Sequence, residues 1–157
     1  MRIDVKKLLI CIAIPLLVGI VSGLISRSGM ETFNQITKPP LSPPAILFPI
    51  VWSILYTLMG IASYLIVVSD ADKTLKDNAL TSYGLQLIVN FFWSIFFFNF
   101  GWYLFSFLWL VLLWVLILNC IFLFYEINKT AAYLMIPYLL WVSFAGYLNL
   151  AIYFLNK

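Results

Sequence analysis

Any chemistry in this chain must be done without histidine. None occurs among its 157 residues. That excludes His-based metal sites, Ser-His-Asp triads and a histidine haem ligand. The charged side chains are Arg2, Asp4, Lys6, Lys7, Arg27, Glu31, Lys38, Asp70, Asp72, Lys73, Lys76, Asp77, Glu126, Lys129 and Lys157. The long apolar stretches between them hold no carboxylate, lysine or arginine. General acid–base catalysis, proton relays and ion-coupled pumping all need such groups at the working site. Hydrolytic and metal-dependent activity are therefore not expected, and no metal site is predicted.

What remains is aromatic and amide. Gln86, Asn90 and Trp93 follow i, i+4, i+7 spacing and share one helix face. Phe48, Trp52 and Tyr56 form a second stripe at i, i+4, i+8, and Trp141, Ala145 and Leu148 a third, with Asn149 adjacent. Amides facing lipid are costly, so the first face should point between helices. The same residues have a packing explanation, because interior amides bond to neighbouring helices and aromatic stripes fill cores. If they instead wall a pocket, ring faces would stack on a planar apolar molecule and amides would orient it. Ala145 would leave room beside Trp141.

These stripes need helices to carry them, and composition says which kind. The chain is 64% hydrophobic and 10% charged, against about 45–50% and about 25% in soluble domains. Lipid removes the need to hide that apolar surface. Four uncharged blocks result: Leu8–Ser26, Pro39–Ser69, Asn78–Tyr125 and Thr130–Asn156. A span needs roughly 20 residues. The third block would run about 72 Å as one helix, over twice the roughly 30 Å hydrocarbon core. It must fold back, and Asn99-Phe100-Gly101-Trp102 is the natural turn. The expected architecture is an all-α, integral membrane bundle of five transmembrane helices, one domain over 1–157. The helices are predicted near 6–26, 44–69, 79–98, 103–125 and 130–155, with Pro43-Pro44 in the first turn of the second. Leu8–Ser26 is longer than a signal-peptide core and lacks a clear cleavage site, so it is read as a retained helix.

Five spans put the termini on opposite sides. Arg2, Lys6, Lys7, Lys73, Lys76 and Lys129 fall on the amino-terminal side, against Arg27, Lys38 and Lys157 on the other. The positive-inside rule then predicts a cytoplasmic N-terminus in a multi-pass cell-membrane protein. The net charge of +3 belongs to these flanks, and no nucleic-acid partner is expected. Cys11 and Cys120 match no zinc or disulfide spacing and are read as packing residues. The connection 27–43, ending in the proline-rich run 38–44, is long for a bundle and is expected to act as a lid. Gly19 and Gly23 form a small-xxx-small pattern that permits close helix approach, within the bundle or across a dimer. Leu150–Lys157 fits the loose cholesterol-contact pattern, a weak signal.

The stretches Lys38-Pro39-Pro40-Leu41-Ser42-Pro43-Pro44 and Phe48-Pro49-Ile50-Val51-Trp52-Ser53-Ile54-Leu55-Tyr56 resemble the translocator protein family (TspO/MBR, the tryptophan-rich sensory proteins). Gln86-Leu87-Ile88-Val89-Asn90-Phe91-Phe92-Trp93-Ser94 is similar to that family's third-helix motif, and Pro137–Asn149 to its fifth. The resemblance covers nearly the whole chain in order. It implies a five-helix bundle, usually a homodimer. It implies binding of tetrapyrroles such as protoporphyrin, and of isoquinoline carboxamide and benzodiazepine-type ligands. No cofactor is required, and protoporphyrin would be ligand or substrate. The matching pocket positions are Gly23, Ser26, Phe48, Trp52, Asn90, Trp93, Trp141 and Ala145. Leu41 stands where the family usually has tryptophan, and Thr32-Phe33 where it commonly has Trp-Tyr.

Three functions compete at this stage. The first is a membrane receptor or sensor that binds porphyrin in the bundle. The second is light-dependent oxidative degradation of bound protoporphyrin, with Trp52 and Trp141 as the catalytic residues against the ring. The third is transport of a tetrapyrrole or sterol, for which the uncharged spans offer no coupling group.

Overall fold

The computed structural model describes residues 2–157, and in it the chain is all-helical. Five helices are long and apolar enough to cross a membrane, so the protein is a multi-pass membrane protein whose surroundings are a lipid bilayer. The elements are α1 (Val5–Ile25), α2 (Arg27–Phe33), α3 (Leu47–Val67), α4 (Lys73–Ser94), α5 (Tyr103–Ile127) and α6 (Lys129–Leu155). A π-helical turn, Ile95–Asn99, extends α4. The spans close into a ring: α1 packs on α3, α3 on α6, α6 on α5, α5 on α4, and α4 returns to α1. Leu9, Ile14, Leu17 and Ile20 on α1 face outward, which costs nothing in hydrocarbon.

Each span starts or bends for a local reason. Asp4 caps α1 by accepting from the Lys7 N–H at 3.1 Å. Pro15 has no N–H for the carbonyl of Cys11. Gly60 of α3 lies against that carbonyl and the Ile12 backbone, where a Cβ would collide. The α1–α3 crossing therefore depends on a glycine. Asn128 alone separates α5 from α6. Its backbone is extended and its side chain accepts from the Ala131 N–H, starting the next helix.

Three features differ from expectation. Pro43-Pro44 lies outside α3, which begins at Leu47. The Pro44 carbonyl instead accepts from the Leu47 N–H in a separate turn, because a residue before proline is steered away from helical backbone. Pro49 takes the first-turn position. α4 begins at Lys73 rather than near 79, since the Asp72 carboxylate caps it through the Thr74 N–H at 3.0 Å. The connection 27–43 is not wholly irregular, because α2 occupies its first half. The turn at Asn99–Trp102 forms as expected, with Gly101 at φ +64°. It is reached through the π turn closed by Phe100 N–H on Ile95 O at 3.2 Å.

Candidate functional site

Inside the ring, toward the side carrying α2, lies a cavity of about 390 Å³ walled by α1, α3, α4 with its π turn, and α6. The segment from α2 to Ala45 roofs it. The volume is in the range of small-molecule sites, about 300–1,000 Å³.

The aromatic walls come from three helices. Phe48 and Trp141 meet edge to face at 6.0 Å. Trp52 stacks on Tyr56 at 5.4 Å and meets Tyr138 edge-on at 6.1 Å. Trp93 contacts both Phe97, stacked at 5.1 Å, and Phe98, edge-on at 6.1 Å. Such pairs add about 0.5–1.5 kcal/mol each beyond burial and fix ring orientation. The π turn lets residues four and five positions after Trp93 face the same space.

The floor is a directed chain of neutral hydrogen bonds. Tyr56 Oη donates to Asn90 Oδ1 at 3.4 Å, and Asn90 Nδ2 donates to Tyr138 Oη at 2.8 Å. Tyr138 Oη donates to Gln86 Oε1 at 2.7 Å, and Gln86 Nε2 reaches Met59 Sδ at 3.9 Å. Beside this chain, Trp93 Nε1 donates to Asn149 Oδ1 at 3.0 Å, and Asn149 Nδ2 donates to the Tyr103 carbonyl at 2.7 Å. The amides are thus engaged within the protein. Trp93, Trp109 and Trp114 also spend their indole N–H on protein acceptors. Among the described residues, no protein acceptor pairs with the indole N–H of Trp52 or Trp141.

Of the residues predicted for the site, Gly23, Phe48, Trp52, Tyr56, Asn90, Trp93, Trp141, Ala145 and Leu148 line the cavity. Gln86 does not. It is fully buried one turn below Asn90, where it holds Tyr138. Ser26 is also off the wall, buried at the α1–α2 junction with its hydroxyl unpartnered among the described residues. The α1 small-residue pattern is used inside the bundle. Gly19 faces the Tyr56 ring, where a Cβ would collide, and Gly23 opens onto free space. Leu41 points outward, 79% exposed, and covers nothing.

Sequence reasoning missed Tyr138, Phe33, Lys38, Phe97 and Phe98. Tyr138 was within reach, since it precedes Trp141 by three and Ala145 by seven on one helix face. Phe97 was too, since it follows Trp93 by four and continues the Gln86, Asn90 and Trp93 face. Phe33 and Phe98 were not, because α2 and the π turn that aim them leave no periodic signal.

The profile of the TspO/MBR family matches residues 11–155 of this sequence. The chain belongs to the TspO/MBR family. It is 34% identical to the tryptophan-rich protein TspO of Chlorobaculum tepidum, over 99% of both chains. It is 33% identical to the tryptophan-rich protein TspO of Archaeoglobus fulgidus, over 98% of this chain and 99% of that one. Translocator protein 2 of Canis lupus familiaris is 34% identical over 85% of this chain and 80% of its own. The segments that resemble that family in sequence meet here: the 38–44 run lies at the roof of the cavity, and α3, α4 and α6 bring Trp52, Asn90 and Trp141 to its wall.

Proposed function

We propose that the protein is a membrane receptor of sensor type that binds protoporphyrin, and related flat hydrophobic molecules such as isoquinoline carboxamides, within the bundle. The observation that carries this is the pairing of an apolar, ring-walled cavity with two unengaged indole donors, Trp52 and Trp141, on α3 and α6. Ring faces favour a planar conjugated body, and free N–H groups favour acceptors on its edge. Titration followed by tryptophan fluorescence tests it. A Trp52→Phe, Trp141→Phe double variant should bind about tenfold more weakly, the equivalent of about 1.4 kcal/mol. Unchanged affinity would remove the pocket from the proposal.

A second reading is light-dependent oxidation of bound protoporphyrin, with dissolved dioxygen as the oxidant that takes up the electrons. The Trp52–Tyr56 stack at 5.4 Å favours it, because it sets an oxidisable pair against the ligand's space. Illumination of the complex should bleach the porphyrin absorption faster than in detergent alone, and slower bleaching in Trp52→Phe would tie the effect to that ring.

The same proposal includes a homodimer and a cytoplasmic N-terminus. Six basic residues on the amino-terminal side against three on the other support the orientation. Labelling single cysteines in the 68–72 turn from outside intact cells would overturn it.

A further inference from the structure

Among the described residues that line the cavity, one side chain is charged. It is Lys38, at the mouth. Its Nζ sits 4.9 Å above the centre of the Phe33 ring. Phe33 is itself braced on Phe97 and Phe98 at 5.7 and 5.3 Å. The ring stack therefore positions the ammonium of a half-buried lysine at the rim of an apolar space. The ion pairs formed among the described residues, Lys7–Asp4 and Lys73–Asp77, lie at the opposite end of the bundle. At the Lys38 end, Arg27, Lys38 and Lys157 face a single acid, Glu31, and no carboxylate pairs with Lys38 among the described residues. A cation held over a ring keeps part of its stabilisation through the ring's quadrupole. Its hydrogen-bonding capacity is still open, and an anionic oxygen would fill it with charge-assisted bonds. The other polar side chains of the wall are neutral, and Ser22, Tyr56, Asn90 and Trp93 among them are already engaged by the protein.

We infer that Lys38 is a specificity-determining residue that pairs with a carboxylate on the ligand's edge, so that the site selects planar apolar molecules bearing a carboxylate over their neutral counterparts. The inference rests on the porphyrin proposal and sharpens it. The ring body lies between Trp52 and Trp141, and the acid edge emerges under the loop at Lys38.

The test compares protoporphyrin with its dimethyl ester, which keeps the ring and removes the charges. Affinities are measured for the native chain, Lys38→Met and Lys38→Arg, both in non-ionic detergent and in phosphatidylcholine nanodiscs. An isoquinoline carboxamide, neutral already, serves as the folding control. The native chain should prefer the acid about tenfold. Lys38→Met should lose that preference by weakening the acid alone, and Lys38→Arg should keep it. Equal affinity for acid and ester in the native chain would overturn the inference and leave the pocket intact. So would a Lys38→Met variant that weakens both ligands equally. A preference present in detergent but absent in nanodiscs would overturn it too, assigning Lys38 to a lipid phosphate. Failure of acid and ester alike to bind would overturn the porphyrin proposal itself.

Discussion

Asn156, at the end of α6, and Thr37, in the connection above the cavity, exchange two hydrogen bonds. The Thr37 N–H donates to Asn156 Oδ1 at 3.0 Å, and Asn156 Nδ2 donates to the Thr37 carbonyl at 2.8 Å. Tyr147, two turns earlier on α6, adds a bond from its hydroxyl to the Pro40 carbonyl at 2.9 Å. The roof is thus tied at two points to the helix that carries Trp141. Each net hydrogen bond is worth about 0.5–1.5 kcal/mol. Asn156→Ala should raise the ligand dissociation rate about tenfold, with the association rate rising too, so that affinity changes less than either. Stopped-flow fluorescence separates the two rates. Unaltered rates would mean that the roof does not control access.

The two glycines of α1 should behave differently. Gly19→Ala forces a methyl into the Tyr56 ring and should destabilise the bundle by about 1–3 kcal/mol, the range for overpacking. Gly23→Ala meets nothing within 4 Å and should leave stability unchanged. Gly23→Leu should fill the cavity and weaken ligand binding without lowering the melting temperature. Thermal unfolding in detergent alongside titration resolves the three.

Tyr138→Phe removes the hydroxyl that accepts from Asn90 and donates to Gln86. Both amides would be left with unpaired groups in a fully buried layer. Side-chain bonds within membranes average about 0.6 kcal/mol and reach about 1.7, so losing two should cost about 1–3 kcal/mol. Ligand affinity should fall as well, because Asn90 would no longer hold Tyr56 and Trp52 in register. A variant as stable as the native chain would show that the floor contributes nothing.

Asn149→Leu should release Trp93, whose indole N–H it accepts at 3.0 Å. A freed Trp93 would lose its stack on Phe97 at 5.1 Å. Weaker binding with a red-shifted tryptophan emission is expected. An unchanged spectrum would show that packing alone fixes the ring.

The spans were legible because charge is excluded so completely from them. The blocks between charged residues bound all five, and the third block was too long to cross once. The cavity wall was legible wherever its residues repeat at helical spacing on one element, as Trp52 with Tyr56 and Asn90 with Trp93 do. Gln86 shared that spacing yet lies below the wall, because periodicity reports a face and not a depth along it. The start of α4 escaped because Lys73–Asn78 is polar, and hydropathy hides a turn that the Asp72 cap makes stable. α2 escaped for the same reason. The π turn packs against α2 and α5, which no local pattern records, and with it went Phe98.

The central claim is that the space between α3, α4 and α6 is where the ligand sits. An experimental structure of the protein with protoporphyrin measures this directly. The porphyrin plane should lie in van der Waals contact, about 4 Å, with Trp52 and Trp141, beneath the roof held by Asn156. A porphyrin resolved on the lipid-facing surface of the bundle, with the cavity between those rings unfilled, would contradict it.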